Sequence, residues 1–192
     1  MDTDPSAGWN DVADKFVAVR SRIGADTVRD WSRSLGRGAS VLDIGCGSGF
    51  PVTVTLVEDG FRVSAVDASP KLLAAFRSRF PEIEAACEPA ETSSFFGRTF
   101  DGAVAIGLIF LLPAAHQRRL IENVAAALKP GAQFLFSAPR EACAWADLLT
   151  GRNSVSLGLE GYTDFLERAG FVLGGTSLDE GGNHYFHAVR HS

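Results

Sequence analysis

Apolar residues recur every three or four positions through the first part of the chain: Trp9, Val12, Phe16, Val19 and Ile23, then Val28, Trp31 and Leu35 after an interruption at Gly24. That spacing predicts one or two amphipathic helices over residues 9–35. Beyond residue 39 the period changes. Short apolar, β-branched runs at 40–44, 61–66, 83–87, 102–107 and 133–137 read as strands, with helices between them. Residues 52–59 are helical by position despite their β-branched side chains, and Gly60 stops them. Ser69-Pro70 is an N-cap followed by a first-turn proline, opening a helix that ends before Pro81. Pro113 starts a helix through Leu128, which Lys129-Pro130-Gly131 breaks. Residues 138–160 are less regular. A helix over 162–169 closes at Gly170, and 171–177 and 184–189 are two final strands.

Strands alternating with helices imply an α/β fold with a mostly parallel sheet covered on both faces. The ligand crevice of such a sheet lies at the C-terminal ends of its strands. Only six residues, 178–183, join the last two strands, too few for a parallel crossover, so they form an antiparallel hairpin at the sheet edge. The expected architecture is therefore a three-layer sandwich around a mostly parallel seven-stranded sheet with an antiparallel last strand at the edge. Residues 1–38 form a helical cap or lid and 39–192 the main body of one compact domain.

Composition narrows the class. With 192 residues, 46% hydrophobic and 14 of them Phe, the chain can bury a substantial core. Its net charge of −5 argues against a nucleic-acid partner, because the arginines from Arg20 to Arg37 are interspersed with acids. Three scattered cysteines make neither a disulfide framework nor a zinc site, and no metal is expected. Reduced thiols, an N-terminus without signal-peptide character and no apolar run longer than 102–115 point to a cytoplasmic protein that does not engage membranes.

The candidate chemistry begins at residues 41–51, Val-Leu-Asp-Ile-Gly-Cys-Gly-Ser-Gly-Phe-Pro. A strand runs into Gly45, Gly47 and Gly49, and Pro51 suits the first turn of the helix that follows. Such a strand–loop–helix unit offers backbone N–H groups and a helix N-terminus to a nucleotide-like ligand. Asp67, ending the second strand, can accept both hydroxyls of a ribose. A dinucleotide fingerprint places its third glycine one residue later, with a small residue packing helix on sheet; Phe50 stands there instead. That counts against an NAD-dependent oxidoreductase, the less favoured alternative.

Residues 41–49, with Asp43 two before the first glycine, resemble the first motif of class I S-adenosylmethionine-dependent methyltransferases. The resemblance continues through Asp67, Thr99-Phe100-Asp101-Gly102 and Leu128-Lys129-Pro130-Gly131, four motifs in order over roughly 39–137. It implies a Rossmann-like fold, S-adenosyl-L-methionine as cofactor and a small-molecule methyl acceptor. By the same resemblance Gly45, Cys46 and Gly47 line the methionine moiety, Gly49 is a further cofactor-binding residue of the loop, Asp67 holds the ribose and Ala68 touches the adenine. Pro89-Ala90-Glu91 stands where relatives carry Asp-Ala-Glu, leaving the Ala90 N–H and Glu91 at the adenine edge. Gly107 faces the sulfonium. Asp43 either orients the glycine loop through its backbone or contacts the ligand, and Cys46 reads as a small packing residue.

After Gly107 the chain offers only Leu-Ile-Phe-Leu-Leu-Pro, where relatives often carry a polar group. The absence of an Asn/Asp-Pro-Pro-Tyr-type motif favours a small, partly apolar acceptor. The polar candidates for catalysis lie in the last hairpin, His184 or Tyr185, which strand alternation sends to opposite faces; His184 could serve as base near neutral pH. The bland alternative is a polar turn. Trp9, Phe16 and Arg20 or Arg22 are candidates for a lid near the cofactor carboxylate, and Arg140 and Trp145 for an acceptor wall. A catalytically inactive cofactor- or partner-binding module on the same fold is the main rival, and either a monomer or a homodimer suits the sequence.

Overall fold

The structure is a computed structural model and describes residues 4–191. Two short helices come first, α1 (Ala13–Val19) and α2 (Ala25–Ser32), joined through Gly24 in the left-handed region at φ 85°. Strands and helices then alternate: β1 (Ser40–Ile44), α3 (Val52–Glu58), β2 (Arg62–Asp67), α4 (Pro70–Arg79), β3 (Ala85–Cys87), β4 (Phe100–Ala105), α5 (Ala114–Ala127) and β5 (Leu128–Ser137). The hairpin β6 (Ala142–Ala146) and β7 (Asn153–Leu157) follows, then α6 (Gly158–Arg168), β8 (Phe171–Leu178) and β9 (His184–Arg190). Ser69 caps α4 as expected, its hydroxyl accepting from the Leu72 N–H at 3.3 Å.

The main sheet runs β3-β2-β1-β4-β5-β9-β8. The first five strands are parallel, and β9 is antiparallel to both β5 and β8. The last strand is thus antiparallel as expected, but it lies one place in from the edge, which β8 occupies. Three further expectations need correction. Residues 138–160 are not irregular but hold the hairpin β6–β7, which forms a separate two-stranded sheet. Helix α6 begins at Gly158 rather than at 162. Strand β5 leaves α5 without a gap, so Lys129-Pro130-Gly131 is the irregular start of a strand, with a register shift opposite Phe100 and Gly102.

Strand alternation divides the core into two layers. Leu42, Ile44, Phe134 and Phe136 pack with α5, Tyr162 and Phe186 on one face; Val41, Val104, Leu135 and Tyr185 pack with Val28, Trp31 and Leu56 on the other. Across β5 and β9 the rings of Phe136 and Phe186 stack with centroids 4.8 Å apart. At the opposite end of the sheet, Asp101 accepts from the Ser40 N–H and hydroxyl and from Lys129 Nζ, at 2.8, 2.7 and 2.6 Å. Lys129 and these bonds pull the Asp101 carboxyl down to about 2. Two of the recognised motifs therefore pin β1, β4 and β5 together at the base, leaving the C-terminal ends to build the site.

Candidate functional site

The strand order reverses between β1 and β4, and this topological switch opens a crevice at the C-terminal ends of the strands. The glycine loop that leaves β1 forms one wall. Four of its N–H groups are already used within the protein: those of Gly45 and Cys46 donate to the Val66 carbonyl (2.8 and 3.1 Å), that of Gly47 to Asp67 (2.8 Å) and that of Gly49 to the Cys46 carbonyl (2.8 Å). The loop contributes room instead. Gly45 and Gly47 have φ of 71° and 55°, and a Cβ would stand 3.0 Å from Leu108 at the first and 3.2 Å from Phe16 at the second. Gly49 has a different task. A Cβ there would lie 2.5 Å from the Phe80 ring and 3.0 Å from that of Phe76, so this glycine admits the aromatic side chains of α4.

Asp67 ties the crevice together. One carboxylate oxygen accepts from the Gly47 N–H and the other from the Ser69 N–H, both at 2.8 Å. Burial raises its pKa, and the two amide bonds offset that rise. Each oxygen keeps a second lone pair. Asp43, on the Val41 face of β1, is 2% exposed. It accepts the Thr53 hydroxyl at 2.5 Å, so it anchors α3 rather than the loop backbone. Burial pushes its carboxyl up to about 7, with the Thr53 bond opposing, Asp67 adding and Arg20 opposing. Burial likewise pushes the Cys46 thiol up, as suits a packing residue.

A cavity of about 980 Å³, counted out to its mouth, fills the crevice. Asp43, Gly45, Cys46, Gly47, Asp67, Ala68, Ala90, Glu91 and Gly107 line it together. Gly49, His184 and Tyr185 do not. Tyr185 points to the other side of the hairpin loop: its hydroxyl donates to Asp179 at 3.0 Å and presses on Gly24. Burial and the Asp179 carboxylate hold that hydroxyl protonated, far above the ordinary tyrosine range. The His184 ring packs edge-on against Phe186, 4.9 Å between centroids, on the opposite face, and burial lowers its pKa, with Arg140 adding to the effect. Neither Arg140 nor Trp145 reaches the cavity; Trp145 instead packs on Phe110, behind the wall, at 5.3 Å. His116 is an exposed helix residue whose Nδ1 lies 3.1 Å from Glu91.

Several lining residues lay outside the sequence reading. Pro5, Ser6 and Ala7 join Trp9 and Phe16 as a roof. Asn10 fastens that roof to α4, its side-chain oxygen accepting from the Lys71 N–H at 3.0 Å and the Ser69 hydroxyl at 3.3 Å. No period marks residues 5–8, and Asn10 falls on a polar position of the period that starts at Trp9, although it is a residue type that often bonds exposed backbone amides. Of the two candidate arginines, Arg20 enters the cavity and Arg22 pairs with Glu58 on the surface at 3.9 Å. The Arg20 guanidinium lies 5.3 Å over the Phe16 ring, and its buried Nε has no hydrogen-bond partner among the described residues. Among those residues no group of three or more His, Cys, Asp or Glu is placed to hold a metal ion, and no helix is long and apolar enough to cross a membrane.

Residues 41–131 match the family model of a methyltransferase domain. No curated protein matches the sequence. The fold is similar to that of the 1,6-didemethyltoxoflavin-N1-methyltransferase of Burkholderia thailandensis, with a TM-score of 0.75, 21% identity and coverage of 94% of this chain and 88% of that one. It is similar to CalS10, an amino pentose methyltransferase from Micromonospora echinaspora (TM-score 0.67, 19% identity, 95% and 91% covered). It is also similar to the glycopeptide N-methyltransferase MtfA (TM-score 0.72, 20% identity, 92% and 95% covered). Strand order, glycine loop and acidic strand end thus occur together with the match to a methyltransferase domain over residues 41–131, on a fold similar to that of solved methyltransferases.

Proposed function

We propose that the protein transfers a methyl group from S-adenosylmethionine to a small, partly apolar acceptor in the crevice between β1 and β4. The observation that carries this reading is the convergence of Gly45, Gly47, Asp67, Ala68 and Gly107 on one cavity at the topological switch point. The residues there suit the cofactor. Asp67 has a lone pair to spare on each oxygen for a ribose diol. Arg20 brings an unpartnered buried N–H to the same cavity, and a guanidinium favours a carboxylate. Ala68, Ala90 and Glu91 stand on the adenine side. When bound, the cofactor would supply a methyl carbon activated by the adjoining sulfonium, with S-adenosylhomocysteine as the leaving thioether.

The rest of the work falls to the protein walls. Leu108, Leu111 and Leu112 give an apolar surface, and Trp9 and Phe16 close over it from the N-terminal segment, which we read as a lid over the cavity. That wall carries no proton acceptor, so its contribution is to position the acceptor and exclude water. Holding two reactants in line is worth about 7–11 kcal/mol of barrier. The acceptor atom then brings its own lone pair, as an unprotonated amine does. The S-adenosylmethionine- and S-adenosylhomocysteine-bound neighbours, acting on a toxoflavin precursor, an amino pentose and a glycopeptide, support this class of acceptor. With a net charge of −5 and no free thiol cluster, we place the protein in the cytoplasm without a nucleic-acid partner, as a monomer or homodimer.

Titration calorimetry with S-adenosylmethionine and S-adenosylhomocysteine tests the reading. Saturable binding of both, lost in Asp67→Ala, is the expected result. No heat at millimolar ligand, or normal binding by Asp67→Ala, would overturn it.

A further inference from the structure

Gln117 is a polar side chain with no exposure at all, in the middle of the face that α5 buries. Its amide is fully used. Nε2 donates to the Leu112 carbonyl and to the Val155 carbonyl, each at 2.8 Å, and Oε1 accepts from the Tyr162 hydroxyl at 2.9 Å. The two donors face two carbonyls and the acceptor faces a hydroxyl, so the amide has one workable orientation. Three elements meet there. Leu112 ends the 3-10 turn Ile109–Leu111, Val155 lies in β7 and Tyr162 in α6. Leu111 and Leu112 line the cavity, and Phe110 between them and β6 packs on Trp145.

We propose that Gln117 is a positioning residue for the acceptor side of the cavity: it locks the apolar wall after β4 to the β6–β7 hairpin and to α6, so that wall and hairpin hold one arrangement. This rests on the methyl-transfer reading of the same cavity. A leucine at 117 would fill the space, take the donor from two carbonyls and remove one acceptor from the Tyr162 hydroxyl; a glutamate would turn an acceptor on the carbonyls. Glutamine alone among residues of this length supplies two donors and one acceptor. The cofactor side, built from the glycine loop, β2 and α4, shares none of these bonds. Gln117 therefore governs the wall and leaves cofactor binding alone.

Hydrogen exchange read by mass spectrometry on the full chain, with and without S-adenosylhomocysteine, tests this for Gln117→Met and Tyr162→Phe. In Gln117→Met the amides of 108–113 and 153–157 are expected to exchange on the order of tenfold faster, the scale of one to two lost hydrogen bonds opening locally. Tyr162→Phe keeps its ring among Phe136 and Phe186, leaves both Nε2 bonds in place and frees Oε1 together with the hydroxyl's bonds to Ser156 and Leu157, so the same segments speed up by about threefold. In both variants β1 and β4 keep their protection and S-adenosylhomocysteine binds as tightly as in the parent. Unchanged exchange at 108–113, or an equal rise in β1 and β4, which marks a merely structural role, overturns the proposal. Failure of the parent protein to bind S-adenosylhomocysteine sinks the methyl-transfer reading instead.

Discussion

Asp43→Asn is expected to stabilise the protein above neutral pH and to leave it nearly unchanged near pH 4. The carboxyl is fully buried, and its pKa rises from the ordinary 3.8 to about 7 in the folded chain. A pKa raised by folding means that the native state holds the proton more tightly. Stability from this group is then complete below 3.8 and is lost as pH climbs through 7. At 1.36 kcal/mol per pH unit the whole window is worth roughly 4 kcal/mol, and the part between pH 5 and 8.5 roughly 3 kcal/mol. Asparagine keeps the shape and the acceptor for the Thr53 hydroxyl and never ionises. Parent and variant share every other titrating group, so their difference isolates this one. Urea unfolding at pH 5 and pH 8.5 measures it. With m near 2 kcal/mol/M the variant should gain about 1 M or more in midpoint between the two conditions. An equal gap between parent and variant at both pH values would show that Asp43 does not titrate near neutrality and that burial is not setting its charge.

Gly49→Ala forces a methyl group against Phe80 and Phe76 at positive φ, and is expected to cost about 2–4 kcal/mol in chemical unfolding while the folded protein still binds S-adenosylhomocysteine. Tyr185→Phe removes one donor from Asp179 and should lower stability by about 1–2 kcal/mol without altering the pH profile of turnover; lost turnover at unchanged stability would restore a catalytic role for this hydroxyl. Arg20→Leu should weaken S-adenosylhomocysteine by about tenfold or more and leave 5′-methylthioadenosine, which lacks the amino-acid carboxylate, unaffected in calorimetry; equal losses for both ligands would remove Arg20 from the carboxylate subsite.

The Ser69-Pro70 cap and the short link before His184 are local signals that the structure bears out, whereas the helical spacing from Trp9 to Leu35 yields only Ala13–Val19 and Ala25–Ser32, with Trp9 in a turn and Val19 and Ile23 exposed. Asp67 lies at the cavity where its place at the end of the second strand predicts it, while its bonds to the Gly47 and Ser69 N–H groups also give it the capping role that the sequence leaves open. The hairpin β6–β7 was not legible, because four of the five residues of β6 are exposed and no alternation of apolar and polar positions betrays a strand without a core beneath it. Gln117 escaped for the opposite reason. It stands in a polar run, Ala-His-Gln-Arg-Arg, and residue type alone sends it to solvent. Spacing could have found it, since 117, 120, 121 and 124 fall on one helical stripe, all fully buried. His184 and Tyr185 were placed at the correct end of the sheet, yet that end is wide. Neither side chain reaches the cavity, and the loop before them packs instead on the α1–α2 junction, where Glu180 accepts from the Gly24 N–H across a separation of 156 residues.

Strand β8 has no place in the sheet of its own. It meets β5 only through β9, which enters between them. On the ribosome, β8 emerges with its hydrogen-bonding edge unanswered, and the finished edge of β5 waits with it until the final strand arrives. Assembly of this half of the molecule therefore waits on β9, with long sequence separations that slow folding. The bond from the Gly24 N–H to Glu180 needs the loop after β8 in place, so the α1–α2 junction takes its final contact from the same hairpin that completes the sheet.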